Sequence, residues 1–161
     1  MGFAYHPPTC RWSAQACVVM MDLRYDRAAP QRAEVLISRD RTAERAWGDW
    51  LAARLEPNGM TVHRTSARQD VLDLVRRRPL SLALLNGPRS GPTELGLLRR
   101  IRRIDASLPC VLVASRVDRG YLHRALALSA YSVLTTPVDT EVLRELIAAV
   151  FRKFYESELK L

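Results

Sequence analysis

Five short apolar runs along the chain alternate with five stretches in which apolar residues recur at helical spacing. The third run is the most apolar, because four leucines and an alanine occupy five of the seven positions of Leu80–Asn86. Such a run, broken at once by Gly87 and Pro88, is typical of a central parallel strand buried on both faces. In open α/β sheets the chemistry lies at the carboxyl ends of the strands. Asn86 is therefore the first candidate functional position.

The same pattern predicts the other elements, since apolar runs indicate strands and apolar residues three or four apart indicate amphipathic helices. The predicted strands are Glu34–Ser38, Thr61–Arg64, Leu80–Asn86, Cys110–Ser115 and Tyr131–Thr135. The predicted helices cover about residues 42–55, 66–78, 93–104, 119–129 and 140–156. Five alternations of strand and helix require a parallel sheet with helices on both faces. The expected fold class is α/β, a flavodoxin-like (βα)5 three-layer sandwich with a five-stranded parallel sheet in the order 2-1-3-4-5.

One folded domain is expected over residues 33–156, with a short tail at 157–161. Residues 1–32 show no sustained period and contain three prolines, which predicts a loosely structured extension. Met20 and Met21 lie inside this extension, so either one is an alternative start of the protein.

The net charge of +8 is compatible with acidic partners, including nucleic acid. The arginines of Arg76–Arg78 and Arg99–Arg103 fall at or near the ends of predicted helices, where cations complement the helix dipole. Solvated helix ends are therefore favoured over a nucleic-acid patch. No apolar stretch approaches the roughly 18 residues of a spanning helix, and no secretory leader is evident. A cytoplasmic protein without membrane contact is expected.

The pattern of reactive residues does not predict an enzyme. The chain has three cysteines, Cys10, Cys17 and Cys110, and no CxxC motif. The spacing of these cysteines and His6 matches no common zinc site. Neither a Gly-rich phosphate loop, a catalytic triad nor paired carboxylates occur. His63 is expected to face solvent, with no identifiable carboxylate partner. No metal and no cofactor are expected.

Three segments together resemble the receiver domain of bacterial response regulators. Residues 82–102, LALLNGPRSGPTELGLLRRIR, look like the third strand, its loop and the third helix of that family. Residues 108–115, LPCVLVAS, look like its fourth strand, and residues 125–147 look like the fourth helix, fifth strand and last helix. The resemblance covers about Glu34 to Arg152. It implies a phosphoryl-accepting Asp after strand three, an acidic Mg²⁺-binding pair after strand one, a Ser or Thr after strand four, and a Lys before the Pro of strand five.

This chain departs from that implied pattern at almost every position. An amide is uncharged and a poor nucleophile, so no acyl phosphate is expected at the acceptor position. A cation in the acidic pair would occupy the place of the metal, and an alternative register of strand one leaves no carboxylate there at all. The corresponding positions are Asn86 for the acceptor, Arg39 and Asp40 for the acidic pair, Ala114 or the following Ser115 for the hydroxyl, Thr136 for the Lys, and Val133 for the switch aromatic.

The resemblance then implies a pseudo-receiver, a non-catalytic signalling or scaffold domain of a two-component-type system that acts by phosphorylation-independent protein contact. Its altered pocket is expected to be a fixed polar cluster, with a small-anion site as the alternative. The face formed by the fourth helix, fifth strand and fifth helix would bind a protein partner, and an acidic partner would complement its basic residues. The alternative is that this face binds a second copy of the chain. A basic nucleic-acid-binding module is the alternative function. The residues expected on that face are Arg119, Tyr121, His123, Arg124 and Arg144.

Overall fold

A five-stranded parallel sheet forms the centre of the protein in a computed structural model that describes residues 11–13, 16–18, 32–38, 45–86 and 94–155. The strands are β1 (Glu34–Ser38), β2 (Thr61–Thr65), β3 (Leu82–Asn86), β4 (Cys110–Ala114) and β5 (Ser132–Thr135). They lie in the order β2-β1-β3-β4-β5, and every neighbouring pair is parallel. This is the predicted order, so the prediction of the fold class is confirmed.

Each strand is followed by a helix, as the alternation of patterns predicts. The helices are α1 (Arg45–Leu55), α2 (Arg68–Arg77), α3 (Glu94–Ile104), α4 (Arg119–Ala127) and α5 (Thr140–Tyr155). A short 3-10 helix, Glu56–Asn58, follows α1 and ends at Gly59, whose φ of 78° favours glycine. Asp118 caps α4, because its carboxylate accepts a hydrogen bond from the backbone N–H of Tyr121 at 2.6 Å.

Two hydrophobic cores lie on the two faces of the sheet and explain why the central strands lack polar alternation. Alternate residues of β3 point to opposite faces: Leu84 packs with α1 and α5, whereas Leu85 packs in the cluster of α2, α3 and α4. Burial of each such leucine contributes about 1.5–3 kcal/mol before entropy is counted. All five residues of β3 and of β4 are buried.

The N-terminal extension contains two short strands, Arg11–Ser13 and Ala16–Val18, which pair in antiparallel fashion and are called the N-terminal hairpin below. Its second strand lies beside β5. The hydrophobic pattern does not predict this hairpin, because three residues are too few to show an alternation. The other residues before Arg32, including both alternative starts, and the tail 156–161 lie outside the described residues.

Two details of the sequence interpretation are wrong. His63 does not face solvent without a partner: its Nε2 lies 2.8 Å from Oε2 of Glu34, and both side chains are largely buried. The partner comes from the adjacent strand β1, which sequence spacing does not reveal. Arg102 is likewise not a solvated helix end, since its guanidinium donates to backbone carbonyls. Arg99, Arg100 and Arg103 are exposed, as expected.

Within the described part of the chain, no helix is long and apolar enough to cross a membrane.

Candidate functional site

The carboxyl ends of the central strands meet at one edge of the sheet, as predicted. Ser38 at the end of β1 is paired with Leu85, and Asn86 at the end of β3 is paired with Val113. Ala114 at the end of β4 is joined to the residue after β5, because the backbone N–H of Thr136 donates to its carbonyl at 3.1 Å. The structure therefore brings Ser38, Asn86, Ala114 and Thr136 to the same end of neighbouring strands.

Asn86 is the central polar side chain of this edge. It follows four buried apolar residues of β3 and is itself only 8 % exposed. Its Nδ2 is buried and has no hydrogen-bond partner among the residues that the structure describes. An amide both donates and accepts, whereas an ionised carboxylate accepts only. The group at the end of β3 is thus a neutral donor and acceptor.

The remaining predicted pocket positions are less polar than their expected roles require. Ala114 is buried and offers no hydroxyl, whereas Ser115 is exposed. Thr136 is half-buried and precedes Pro137 through a cis peptide bond. No group of three His, Cys, Asp or Glu side chains suited to a metal ion occurs among the described residues. The predicted acidic pair, Arg39 and Asp40, lies outside the described residues.

The expected switch position is filled by an aliphatic side chain. Val133 is 2 % exposed and packs in the core under α2, α3 and α4. The nearby aromatic residue, Tyr131, lies in the opposite core, where its ring meets Phe154 edge to face with centroids 5.6 Å apart. Burial raises the pKa of Tyr131, with Arg152 opposing the shift. Neither side chain can swing between core and surface without losing its packing.

The expected interaction face is corrected at one residue. Tyr121 is buried rather than exposed, and its hydroxyl donates to the carboxylate of Glu94 at the start of α3. Burial raises the pKa of Tyr121 well above its usual range, and the hydrogen bond and charge of Glu94 raise it further. The other predicted residues of α4, Arg119, His123 and Arg124, are exposed.

Two side chains of α3 hold α4 at both of its ends. At the start of α4, Tyr121 is bonded to Glu94, which is 5 % exposed. At the other end, Arg102 donates to the carbonyls of Leu128 at 3.0 Å and Ser129 at 2.9 Å. Ser129 has a φ of 56°, in the left-handed region, and the Arg102 contact holds that turn in place. These contacts, called the α4 clamp below, were missed from the sequence because each joins residues 26 or more positions apart.

The surface of α5 that lines a cavity combines basic and apolar side chains with one acidic residue, Glu145. A cavity of about 480 Å³ lies against this helix, and Val142, Ala149, Arg144 and Arg152 are among its lining residues. Arg144 also contacts Glu141 at 2.9 Å, which leaves part of its charge offset. The described residues that line this cavity all belong to α5, so the cavity is separate from the strand ends near Asn86.

The fold has close counterparts among solved structures, although no protein-family model and no curated protein matches the chain. A CheY-like response regulator receiver domain protein from Methanospirillum hungatei JF-1 is 18 % identical, with a TM-score of 0.65, and the match covers 79 % of this chain and all of that one. The signal receiver domain of an HD domain-containing protein from Pseudomonas fluorescens Pf-5 is 20 % identical, with a TM-score of 0.66 and coverage of 79 % and 100 %.

A two-component response regulator from Clostridium difficile is similar to the same extent, with 19 % identity and a TM-score of 0.65. The match covers 76 % of this chain and 98 % of that one. The alignment thus takes in essentially the whole length of each of these three structures. At such low identity the likeness establishes the architecture rather than the chemistry of the site. The chain has the fold of a CheY-like receiver domain.

Proposed function

We propose that this protein is a receiver-like signalling or scaffold domain of a two-component-type system that works by protein–protein contact and accepts no phosphoryl group. The observation that carries the proposal is Asn86 at the carboxyl end of β3. The fold places the chemistry of such sheets at this end. A side-chain amide cannot act as the carboxylate nucleophile of acyl phosphate formation.

The other groups at this edge agree with the proposal. Mg²⁺ binding requires oxygen ligands, usually carboxylates, and developing phosphoryl charge requires a cation. Ala114 and Thr136 supply neither a carboxylate nor a cation at the ends of β4 and β5. Of the two residues that follow β1, Arg39 is a cation where a metal ligand is expected. These differences from the receiver pattern affect the nucleophile, the metal ligands and the phosphoryl-binding cation together.

The α4 clamp gives a second, independent reason. A phosphorylation switch requires an element with two arrangements of similar free energy. Tyr121 and Arg102 fix α4 against α3 at both ends through a buried carboxylate and two backbone carbonyls that follow α4. A helix held in this way favours a single arrangement, which suits a constitutive binding surface.

The partner that this surface fits is an acidic protein. Arg119 and Arg124 are exposed on α4, and Arg144 and Arg152 line the cavity beside α5 together with one acidic residue, Glu145, so that basic side chains outnumber acidic ones. Surface charge of one sign guides complementary partners to the surface and sets the salt dependence of association. We therefore expect binding that weakens as salt is added and is indifferent to phosphoryl donors.

Amide NMR spectra test whether the domain still responds to a phosphoryl signal. Beryllofluoride with Mg²⁺, which mimics an acyl phosphate on a carboxylate, is expected to leave the amide resonances of α4, β5 and α5 unchanged. A phosphorylatable receiver domain in the same buffer is the positive control. Mg²⁺-dependent shifts that spread from Asn86 into α4 would overturn the proposal.

A further inference from the structure

Two clusters of arginines that are separate in the sequence lie side by side in the fold. One cluster is Arg76–Arg78 at the end of α2, and the other is formed by Arg99, Arg100 and Arg103 of α3. The two helices pack against each other and against the same hydrophobic core. Each helix follows a strand of the parallel sheet, so both run in the same direction and end on the same side. The fold therefore joins the clusters into one surface, called the α2–α3 arginine surface below.

The positive charge of this surface is offset at one position. All six of its arginines are exposed. Arg76 contacts Asp73 at 3.1 Å, and no other arginine of the surface is in an ion pair with a described carboxylate. The carboxylate that follows α3, Asp105, accepts hydrogen bonds from the backbone of Ser107 and Leu108 in its own turn. The surface is therefore a concentration of positive charge that attracts anions to this side of the molecule.

The residue types on this surface favour phosphate groups over other anionic partners. A guanidinium is always charged and donates paired hydrogen bonds that match the oxygens of a phosphate. The exposed side chains of Arg68–Arg77 and Glu94–Ile104 include no aromatic and no aliphatic one. Protein interfaces have an apolar, often aromatic core, and helices that bind membrane surfaces insert apolar side chains. An acidic protein or an anionic membrane would therefore find charge on this surface but no apolar anchor.

The same lack of exposed rings distinguishes a duplex from a single strand of nucleic acid. Proteins that bind single strands stack successive bases on aromatic side chains. A duplex carries one negative charge per about 1.7 Å of its axis and is bound through its backbone alone when no base is read. Packed helices lie about 8–10 Å apart, so arginines on α2 and α3 can contact phosphates about three base pairs apart.

We propose that the α2–α3 arginine surface binds the phosphate backbone of a nucleic-acid duplex without reading its base sequence. DNA and RNA duplexes share this backbone chemistry, so both serve as probes. The proposal is independent of phosphoryl chemistry at Asn86. It adds a second kind of partner to the protein contacts proposed for α4 and α5.

Fluorescence anisotropy of a short labelled duplex measures this binding with the full-length protein. The logarithm of the association constant is expected to fall linearly with the logarithm of the salt concentration, with a slope of about −3 to −5 for four to six phosphate contacts. A duplex of scrambled sequence should bind equally well, and a DNA and an RNA duplex of the same sequence show which backbone is preferred. No binding of either duplex at low salt would overturn the proposal.

Two variants that each remove one positive charge separate this surface from the overall charge of the protein. Arg103→Gln is expected to weaken duplex binding about fivefold to tenfold at about 0.1 M salt and to reduce the salt slope by about 0.9. The matched control is Arg54→Gln, because Arg54 is exposed on α1, on the other face of the sheet, with its guanidinium over the ring of Trp50. The control is expected to change affinity less than about twofold. Equal losses in the two folded variants would overturn the proposal.

Two other polyanions test the choice of partner. Labelled polyglutamate represents an acidic polypeptide, and a single-stranded oligonucleotide has the same phosphates without the duplex. Both are expected to bind more weakly than the duplexes in the same buffer. Tighter binding of polyglutamate would identify the surface as a site for acidic proteins, and tighter binding of the single strand would identify it as a single-strand site. Either result would overturn the proposal.

Discussion

Replacement of Arg102 by alanine is expected to lower the free energy of unfolding by about 2–4 kcal/mol. The guanidinium donates to the carbonyls of Leu128 and Ser129 after α4, and to those of Asp105 and Leu108 in the turn before β4, at 2.7–3.4 Å. Alanine leaves these acceptors without their donor. The left-handed turn at Ser129 also loses its support.

The neighbouring arginine is the matched control for this prediction. Arg103 is exposed in the same last turn of α3, so Arg103→Ala is expected to change stability by less than about 0.5 kcal/mol. Urea unfolding of both variants and the parent protein measures the difference. Equal stability of the two variants would show that the Arg102 contacts contribute no more than an ordinary surface charge.

Removal of the Tyr121 hydroxyl is expected to cost about 1–3 kcal/mol at neutral pH. In Tyr121→Phe the buried carboxylate of Glu94 loses the hydroxyl that donates to it. The matched control is Tyr131→Phe, because the hydroxyl of Tyr131 is buried without a hydrogen-bond partner among the described residues. That substitution is expected to be neutral or slightly stabilising. A similar cost for both variants would contradict the importance of the Tyr121–Glu94 bond.

Tyr121→Phe and Tyr131→Phe are both expected to reduce the loss of stability in alkaline solution. The pKa values of Tyr121 and Tyr131 are raised in the folded protein, chiefly by burial. Above pH 10 an unfolded tyrosine loses its proton while the folded one keeps it, so stability falls as the pH rises, by up to about 1.4 kcal/mol per pH unit for each tyrosine. Each Phe variant should therefore show a shallower loss than the parent between pH 10 and 11. Parallel stability curves would contradict this expectation.

The sequence was sufficient for the sheet because its information is local. Continuous apolar runs at β3 and β4 and helical spacing in α5 each lie within one element, and their alternation leaves few topologies. The residue at the carboxyl end of the central strand, Asn86, could be identified in the same way. The N-cap of α4 was also predictable, since Asp118 lies next to the helix it caps.

The contacts that fix the arrangement of the helices could not be predicted in this way. Glu34 and His63 meet across two neighbouring strands, and Glu94 meets Tyr121 across two helices. In each case the polar side chain suggests a solvent-exposed position. Only the tertiary structure shows the hydrogen-bond partner that offsets the free-energy cost of burying it. Tyr121 was therefore placed on the binding surface, although its side chain lies in the interior.

The residues at the strand ends and the α4 clamp support the same proposed function. A neutral amide lies at the carboxyl end of β3, where the resemblance to receiver domains implies a reactive carboxylate, and α4 is tied to α3 at both ends. The proposed function includes no phosphoryl transfer and therefore requires no mobile α4. We infer that its signalling depends on which partners reach the surface of α4, β5 and α5, rather than on a covalent change at Asn86.

The most direct test is the intact mass of the purified full-length protein after incubation with acetyl phosphate and Mg²⁺. The account predicts no mass increase, with a phosphorylatable receiver domain treated in parallel as the positive control. An added phosphoryl group that is acid-labile, requires Mg²⁺ and maps to the carboxyl end of β3 or to the residues that follow β1 would contradict it.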